Sequence, residues 1–285
     1  MPMPEIRATI KSMITIQEDM NMKLGFIGCG NMATAMIKGI IGNDIVAKED
    51  IIGADLSQAS IDKIAGEMGI TVTTNNKEVA GKVDVLVLSV KPQFYESVIA
   101  EIKDVVNEQQ LIITIAPGKT LAWLGEQFGK AVKIVRTMPN TPALVGEGIT
   151  AACSNENVTP EELDTVTGIL RGFGKCEVVP EHLMDVVTSV SGSSPAYVFM
   201  FIEAMADGAV ADGMPRAQAY EFAAQAVLGS AKMVLETGKH PGELKDMVCS
   251  PGGTTIEAVR VLEEKGMRSA VFEAMKACTR KSRGL

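Results

Sequence analysis

The chain has 285 residues, 46% of them hydrophobic, which is enough apolar material for a large core and enough length for two domains. Its formal net charge of −8 gives no electrostatic basis for binding nucleic acid or an anionic membrane, so we expect neither as a partner. Five cysteines without paired spacing indicate reduced, buried thiols in a cytoplasmic protein, and the two histidines have no second ligand nearby, so we expect no metal site.

Residues 1–21 are interpreted as an N-terminal extension outside the fold. Charged residues interrupt this stretch too often for the apolar region of a signal peptide, namely Glu5, Arg7, Lys11, Glu18 and Asp19. Met22 and Lys23 then directly precede the first strong strand pattern. No window of the sequence reaches transmembrane length without glycine or charge.

From Lys23 onward, short apolar runs alternate with helical patterns, which is typical of βαβ units. In chain order the pattern predicts a strand at 24–27, a helix at 32–41, a strand at 50–54 and a helix at 57–68. Further strands are predicted at 71–73, 83–90, 111–115 and 132–136. We therefore predict an α/β fold, with a doubly wound parallel sheet of the Rossmann type over residues 22–180.

After Pro180 the sequence becomes rich in Ala, Met, Leu and Glu, and the alternation typical of strands disappears. This composition predicts an all-helical second domain over residues 181–285, with helices at 183–191, 195–212, 215–236, 241–248, 253–265 and 267–279. The apolar spacing around Tyr220 and Val198 suits packing on another subunit as well as packing within one chain. Both interpretations stay open at this point.

A glycine-rich turn between the first strand and the first helix predicts a dinucleotide site. Gly28 permits the tight turn, Gly30 lets the backbone approach a pyrophosphate, and Ala33 packs the helix against the strand. Asp55, at the end of the second strand, is placed to bind the adenine ribose and to repel a 2′-phosphate, which favours NADH. The alternative for Asp55 is to cap the helix that starts near Ser57.

Two other predicted strands end at the same edge of the sheet with polar residues. Lys91 is a candidate contact for ribose or nicotinamide, or else an ordinary surface lysine. Asn140 lies between Pro139 and Pro142, where its amide offers a donor and an acceptor to a ligand, or else belongs to a rigid turn.

Residues 249–258 put flexible backbone and two hydroxyls at a predicted helix start. Free N–H groups and the positive end of the helix dipole can hold a carboxylate there without a cationic side chain, and Thr255 can point its hydroxyl at the same ligand. The alternative makes Ser250 the N-cap, with Pro251 in the first turn.

Five segments together resemble pyrroline-5-carboxylate reductase: Gly28-Cys29-Gly30-Asn31-Met32, Val90-Lys91-Pro92, Arg136-Thr137-Met138-Pro139-Asn140-Thr141-Pro142, Ser191-Gly192-Ser193-Ser194-Pro195-Ala196-Tyr197 and Ser250-Pro251-Gly252-Gly253-Thr254-Thr255. The resemblance covers Met22 to Lys281, and the last segment is the most specific to the family. It implies reduction of the cyclic imine Δ1-pyrroline-5-carboxylate to L-proline with NAD(P)H, the final step of proline biosynthesis. It also implies that the helical domain forms a homodimer, which is often assembled further into a homodecamer.

The resemblance implies roles for residues of both domains. The substrate carboxylate would lie on Ser250, Gly253, Thr254 and Thr255, and Thr255 would hydrogen-bond the ring nitrogen as the catalytic residue. The cofactor pyrophosphate would lie on Gly28, Gly30, Asn31 and Met32, and its ribose and nicotinamide along Asn76, Val90, Lys91, Pro92 and Asn140. At Asp55 the family often has small polar residues suited to a 2′-phosphate, so this departure favours NADH.

Three other functions fit the sequence less well than the reductase. A β-hydroxyacid dehydrogenase would need a lysine general base on the first helix of the second domain, and residues 191–201 contain no lysine. A nucleotide-sensing scaffold would have no small-molecule pocket in the helical domain. The segment 250–255 predicts such a pocket and therefore argues against the scaffold. A serine hydrolase is disfavoured because no histidine lies near the serines at 191–194.

Overall fold

The computed structural model describes residues 22–284, and the predicted extension over residues 1–21 lies outside the described residues. Within this range the chain forms an eight-stranded sheet in the order β3-β2-β1-β4-β5-β6-β7-β8. The strands are β1 (Leu24–Ile27), β2 (Ile51–Ala54), β3 (Thr71–Thr73), β4 (Val85–Leu88), β5 (Leu111–Thr114), β6 (Lys133–Met138), β7 (Gly148–Ser154) and β8 (Gly174–Val178).

Strands β1 to β6 are parallel, which confirms the doubly wound sheet. Leu24 pairs with Ile51 on one side and with Val85 on the other, so the carboxyl ends of β1, β2 and β4 meet at one edge. Strand β7 is antiparallel to β6, and β8 is parallel to β7. The last two strands therefore run opposite to the predicted parallel direction. The reason is the short connection over residues 139–147, because a parallel return needs a crossover of about a dozen residues or more.

Helices cover both faces of the sheet. They are α1 (Asn31–Gly42), α2 (Gln58–Met68), α3 (Asn76–Ala80), α4 (Tyr95–Ile102), α5 (Leu121–Phe128) and α6 (Pro160–Leu170). One core cluster joins Phe26 and Val87 to Met36 of α1 and Leu170 of α6. The other joins Leu86 and Ile112 to Tyr95 of α4 and Leu124 of α5. Strands buried on both faces explain the nearly continuous apolar runs in the sequence.

The helical part of the chain contains α7 (Met184–Val187), α8 (Ser194–Ala211), α9 (Arg216–Thr237), α10 (Pro241–Val248), α11 (Thr254–Glu264) and α12 (Met267–Ser282). The helix predicted at 183–191 is divided into a 3-10 helix at Glu181–Leu183, then α7, then a π-helix at Thr188–Gly192. Hydroxyls of Thr188 and Ser191 donate to the carbonyls of Met184 and Val187, and such bonds disturb regular helix geometry.

The described chain divides into two compact units, residues 22–192 with 282–284, and residues 193–281. Residues 181–192 belong with the sheet because Met184 is buried against Met138 and Cys153. The domain limit near residue 180 stays a prediction.

The second unit buries small residues between α8 and α9, such as Ala206 and Ala223. Five large apolar residues of this unit are each more than half exposed: Phe199, Met200, Phe222, Leu235 and Phe272.

Candidate active site

The glycine-rich turn after β1 contains two glycines, and the structure requires glycine at only one of the two positions. Gly28 has φ +98°, and a Cβ there would lie 2.8 Å from the backbone of Ser89, so the fold itself requires glycine. Gly30 has φ −77°, and a Cβ there would meet no protein atom within 4 Å. Nothing in the described chain therefore explains glycine at position 30, and open space above it suits a ligand that approaches the backbone.

Helix α1 begins at this turn with a free N-terminus. Gly30 is its N-cap, and no side chain caps the helix. Asn31 is exposed and Met32 is half-buried, while Ala33 is packed into the core as the fingerprint predicts. The first-turn N–H groups of a helix attract anions. The arrangement fits the pyrophosphate of a dinucleotide.

Asp55 holds the glycine-rich turn through its carboxylate. One oxygen accepts a hydrogen bond from the Cys29 N–H at 2.8 Å, and the other accepts from the Ser57 N–H at 2.8 Å. The alternative role as helix cap is wrong, because Ser57 is the N-cap of α2 and accepts from the Ser60 N–H. Each carboxylate oxygen keeps a second lone pair, so Asp55 can still accept from ribose hydroxyls.

Cys29 lies inside the turn as a small buried residue. Its Sγ donates to the Ala54 carbonyl at 3.5 Å. Burial, with a smaller contribution from the Asp55 carboxylate, raises the pKa of Cys29 to about 12. The side chain is therefore a neutral thiol that packs the turn against β2. Cys153 and Cys176 are also buried, as predicted, whereas Cys249 and Cys278 are only partly so.

The segment after β4 faces the same edge of the sheet. Val90 and Pro92 are half-buried, and Lys91 is exposed as the N-cap of a 3-10 helix at Pro92–Phe94. Ser89, which the sequence analysis missed, donates its hydroxyl to the Gly28 carbonyl at 2.7 Å. Its place directly before Val90-Lys91-Pro92, at the carboxyl end of a predicted strand, is the signal that could have identified it.

Tyr95 is a second residue that the sequence analysis missed. Its side chain is fully buried, its hydroxyl donates to the Leu88 carbonyl at 2.5 Å and accepts from the Ile115 N–H at 3.2 Å. Burial raises the pKa of Tyr95, so the phenol stays neutral. The hydroxyl ties the ends of β4 and β5 together beneath the predicted nicotinamide edge.

Asn76 and Asn140 are both buried and bonded within the chain. The Asn76 amide donates to Glu101 Oε2 at 2.8 Å. The Asn140 amide donates to the Ser191 carbonyl at 3.1 Å, and its oxygen accepts from the Ile149 N–H at 2.9 Å. The bonds of Asn140 support the rigid turn that the sequence analysis left open. A ligand contact at either residue stays a prediction.

In the second unit, the segment 250–255 forms the free start of α11. Gly253 is the N-cap without any capping side chain, and its N–H donates to the Ser250 carbonyl at 3.0 Å. The alternative with Ser250 as N-cap is therefore wrong, because Gly252 takes φ +69° and delays the helix start to Thr254. Thr254 is exposed and Thr255 is half-buried, in the first turn of an 11-residue helix.

Three further observations concern residues 22–284. No group of three or more His, Cys, Asp or Glu side chains among them could hold a metal ion. No helix in this range is long and apolar enough to cross a membrane. A cavity of about 570 Å³ is lined by residues that include Gly125 of α5, Lys130 before β6 and Asn155 after β7. It contains none of the predicted site residues, so it is not the predicted dinucleotide edge.

Two family models match parts of this chain. Residues 181–285 match the family model described as pyrroline-5-carboxylate reductase dimerisation, and residues 23–118 match the model described as NADP oxidoreductase coenzyme F420-dependent. Pyrroline-5-carboxylate reductase of Escherichia coli strain K12 is 54% identical over 93% of this chain and 99% of its own.

Two solved structures are also similar. Pyrroline-5-carboxylate reductase from Coxiella burnetii has a TM-score of 0.86 and 34% identity, over 93% of this chain and 98% of its own. Pyrroline carboxylate reductase from Plasmodium falciparum, solved with NADP bound, has a TM-score of 0.85 and 35% identity over the same shares. The identity to the E. coli protein extends over both units of the fold, and the chain therefore belongs to the pyrroline-5-carboxylate reductase family.

Proposed function

We propose that this protein reduces Δ1-pyrroline-5-carboxylate to L-proline with NAD(P)H, as the final step of proline biosynthesis. The observation that carries the proposal is the pairing, in one chain of this family, of two uncapped helix starts. One follows the glycine-rich turn and suits a pyrophosphate, and the other begins at Gly253 and suits a carboxylate.

The substrate site is proposed at the start of α11. Backbone and hydroxyl donors of Ser250, Gly253, Thr254 and Thr255 would hold the substrate carboxylate, helped by the positive end of the helix dipole. This arrangement needs no cationic side chain. Glu257, the acidic residue of the first turn, is paired with Arg260 at 3.0 Å, which reduces its repulsion of an anion.

The cofactor site is proposed along the carboxyl edge of the sheet, where doubly wound folds bind dinucleotides. Gly28, Gly30, Asn31 and Met32 would hold the pyrophosphate. The ribose and nicotinamide would lie along a second group of residues, namely Asn76, Val90, Lys91, Pro92 and Asn140. The open space above Gly30 supports this placement, since a side chain there would fill the cradle.

The chemistry asks little of the protein. When bound, NAD(P)H would supply the hydride for the imine carbon, and the substrate would carry the proton on its ring nitrogen. Positioning of the substrate is therefore the main task of the chain, through the carboxylate anchor at α11. Thr255 would orient the ring nitrogen through its hydroxyl and is the proposed catalytic residue.

We infer a preference for NADH over NADPH from Asp55. Its carboxylate stands at the end of β2 and would repel a 2′-phosphate on the adenine ribose, while its free lone pairs would accept from ribose hydroxyls. NADP is bound in the structure of the Plasmodium falciparum protein, and this shows the cofactor of that relative only. The test is the ratio of kcat/KM for NADH to that for NADPH, which we expect to exceed about tenfold because of the repulsion between Asp55 and the 2′-phosphate.

We propose that two copies of the chain form a homodimer through residues 181–285. These dimers can associate further into a homodecamer. We place the protein in the cytoplasm. The exposed aromatic and aliphatic side chains of the helical unit support an interface between copies, since large apolar surfaces seldom stay uncovered. Residues 22–180 would form the cofactor domain in this arrangement.

The direct experiment follows the loss of NADH or NADPH absorbance with purified protein and Δ1-pyrroline-5-carboxylate. Turnover with formation of proline supports the function. Cofactor binding without turnover of the imine would instead favour the dehydrogenase or sensor functions.

A further inference from the structure

Residues 181–192, which we call the strap, are bonded to the end of β6 at two points. At the start of the strap, Glu181 Oε1 accepts from Arg136 Nη1 at 2.9 Å. Near its end, the Ser191 carbonyl accepts from the Asn140 amide at 3.1 Å. The two bonds fix the strap at both ends to the strand whose last residues lead into the predicted nicotinamide loop, residues 139–142.

The Arg136 bond is the stronger of the two constraints because the guanidinium is buried. Only 3% of the side chain is exposed, and its Nε has no hydrogen-bond partner among the described residues. Removing the counter-charge of a buried cation strongly destabilises the fold around it. The same Glu181 oxygen also accepts from the Leu121 N–H at 2.7 Å, at the first residue of α5. Glu181 therefore joins β6, α5 and the strap at one atom.

The Asn140 bonds fix the loop itself. The side-chain Nδ2 of Asn140 donates to the Ser191 carbonyl in the strap. The Oδ1 of the same side chain accepts from the Ile149 N–H in the first part of β7. Between the two clamps, Met184 of the strap is buried against Met138. These contacts hold Asn140, and the end of β6 before it, between the strap and β7.

We propose that Arg136, Glu181 and Asn140 are positioning residues that fix the loop 139–142 and thereby set the place of the nicotinamide half of the cofactor. The proposal rests on the proposed function for its readout in turnover. Asn140 acts here through the loop and the strap, in addition to any contact with the ligand. Small displacements of a reacting group cost large factors in rate, so a loosened clamp lowers turnover without touching the pyrophosphate site.

The chain offers a matched control on the same strand. Lys133, at the start of β6, pairs with Glu162 at 2.6 Å, and this pair is also partly buried. Glu162→Gln and Glu181→Gln each neutralise a carboxylate that faces a β6 cation, and glutamine keeps the capping box of α6. Only the Glu181 pair lies near the loop.

The experiment compares both variants with the wild type in Tm, in kcat, in KM for NADH, and in affinity for NADH and for ADP-ribose. ADP-ribose reaches the glycine-rich turn but has no nicotinamide. For Glu181→Gln we expect a fall in kcat and in NADH affinity of about fivefold or more, with ADP-ribose affinity within about twofold of wild type. For Glu162→Gln we expect a lower Tm with unchanged kinetics. Arg136→Lys, which keeps the cation, should retain more activity than Arg136→Met.

Two results would overturn the proposal. One is Glu181→Gln with wild-type kcat and NADH affinity, which would leave the clamp a purely structural element. The other is a parallel loss of NADH and ADP-ribose affinity, which would indicate general damage. If the wild type binds NADH but reduces no imine, the proposed function fails, and the comparison of the two affinities still tests the clamp.

Discussion

At the scale of single residues, we expect substitution of the two glycines in the first turn to have different effects, on folding at Gly28 and on cofactor binding at Gly30. Gly28→Ala would force a side chain into φ +98° and against Ser89, so we expect it to lower the free energy of unfolding by about 1–3 kcal/mol. Gly30→Ala has compatible dihedral angles and free space, so we expect nearly unchanged stability but a KM for NADH raised about tenfold. Thermal unfolding and steady-state kinetics of the pair check this, and equal KM values for Gly30→Ala and wild type would contradict it.

The cysteines give a second prediction at this scale. Burial raises the pKa of Cys29 to about 12 and the pKa values of Cys153 and Cys176 to about 11. Because the thiolate is the reactive form, these three thiols should resist iodoacetamide at about pH 8 in the native protein. Peptide mass mapping checks this, with guanidinium-unfolded protein as the control in which all three react. Rapid labelling of native Cys29 would show that the turn is not packed as described.

At the scale of elements, the start of α11 has no capping side chain and is the proposed site of the substrate carboxylate. Gly253→Asp would put a carboxylate on the first-turn N–H groups, which stabilises a helix but competes with an anionic substrate. We expect KM for the imine to rise by about tenfold or more, with the KM for NADH unchanged. Gly253→Ser is the control, since either Cβ would stand 3.1 Å from the Ser250 carbonyl oxygen but serine adds no charge. An imine KM that does not respond to the aspartate would place the carboxylate elsewhere.

Local elements could be predicted well because their signals are local. The strand at 24–27 and the glycine-rich turn follow from an apolar run and two glycines, and β3 has the predicted bounds. The reversed direction of β7 depends on the length of its connection, and its sequence of small residues gives a weak strand signal. The bond of Asp55 to the Cys29 N–H could not be predicted, since it requires the register between β1 and β2.

At the scale of the whole molecule, the helical unit leaves several large apolar side chains exposed. Met200, Phe222 and Leu235 are among the side chains more than half exposed, which a stable isolated unit would cover. We expect light scattering to give at least twice the 30.3 kDa mass of one chain. Phe222→Asp should reduce that mass or unfold the helical unit, whereas an active wild-type monomer would contradict the proposed assembly. The sequence predicts a helical region after Pro180. Which helix faces stay exposed could not be predicted, because that depends on how α8 and α9 pack.

The most direct test of the account is the turnover of Thr255 variants with Δ1-pyrroline-5-carboxylate and NADH. If the Thr255 hydroxyl orients the ring nitrogen, Thr255→Ala should lower kcat on the order of 10- to 100-fold, because one hydrogen bond to the reacting group is lost. Thr255→Ser, which keeps a hydroxyl, should recover most of the rate, and KM for NADH should stay constant in both. Wild-type kcat in Thr255→Ala would contradict the assignment of the catalytic site to the start of α11.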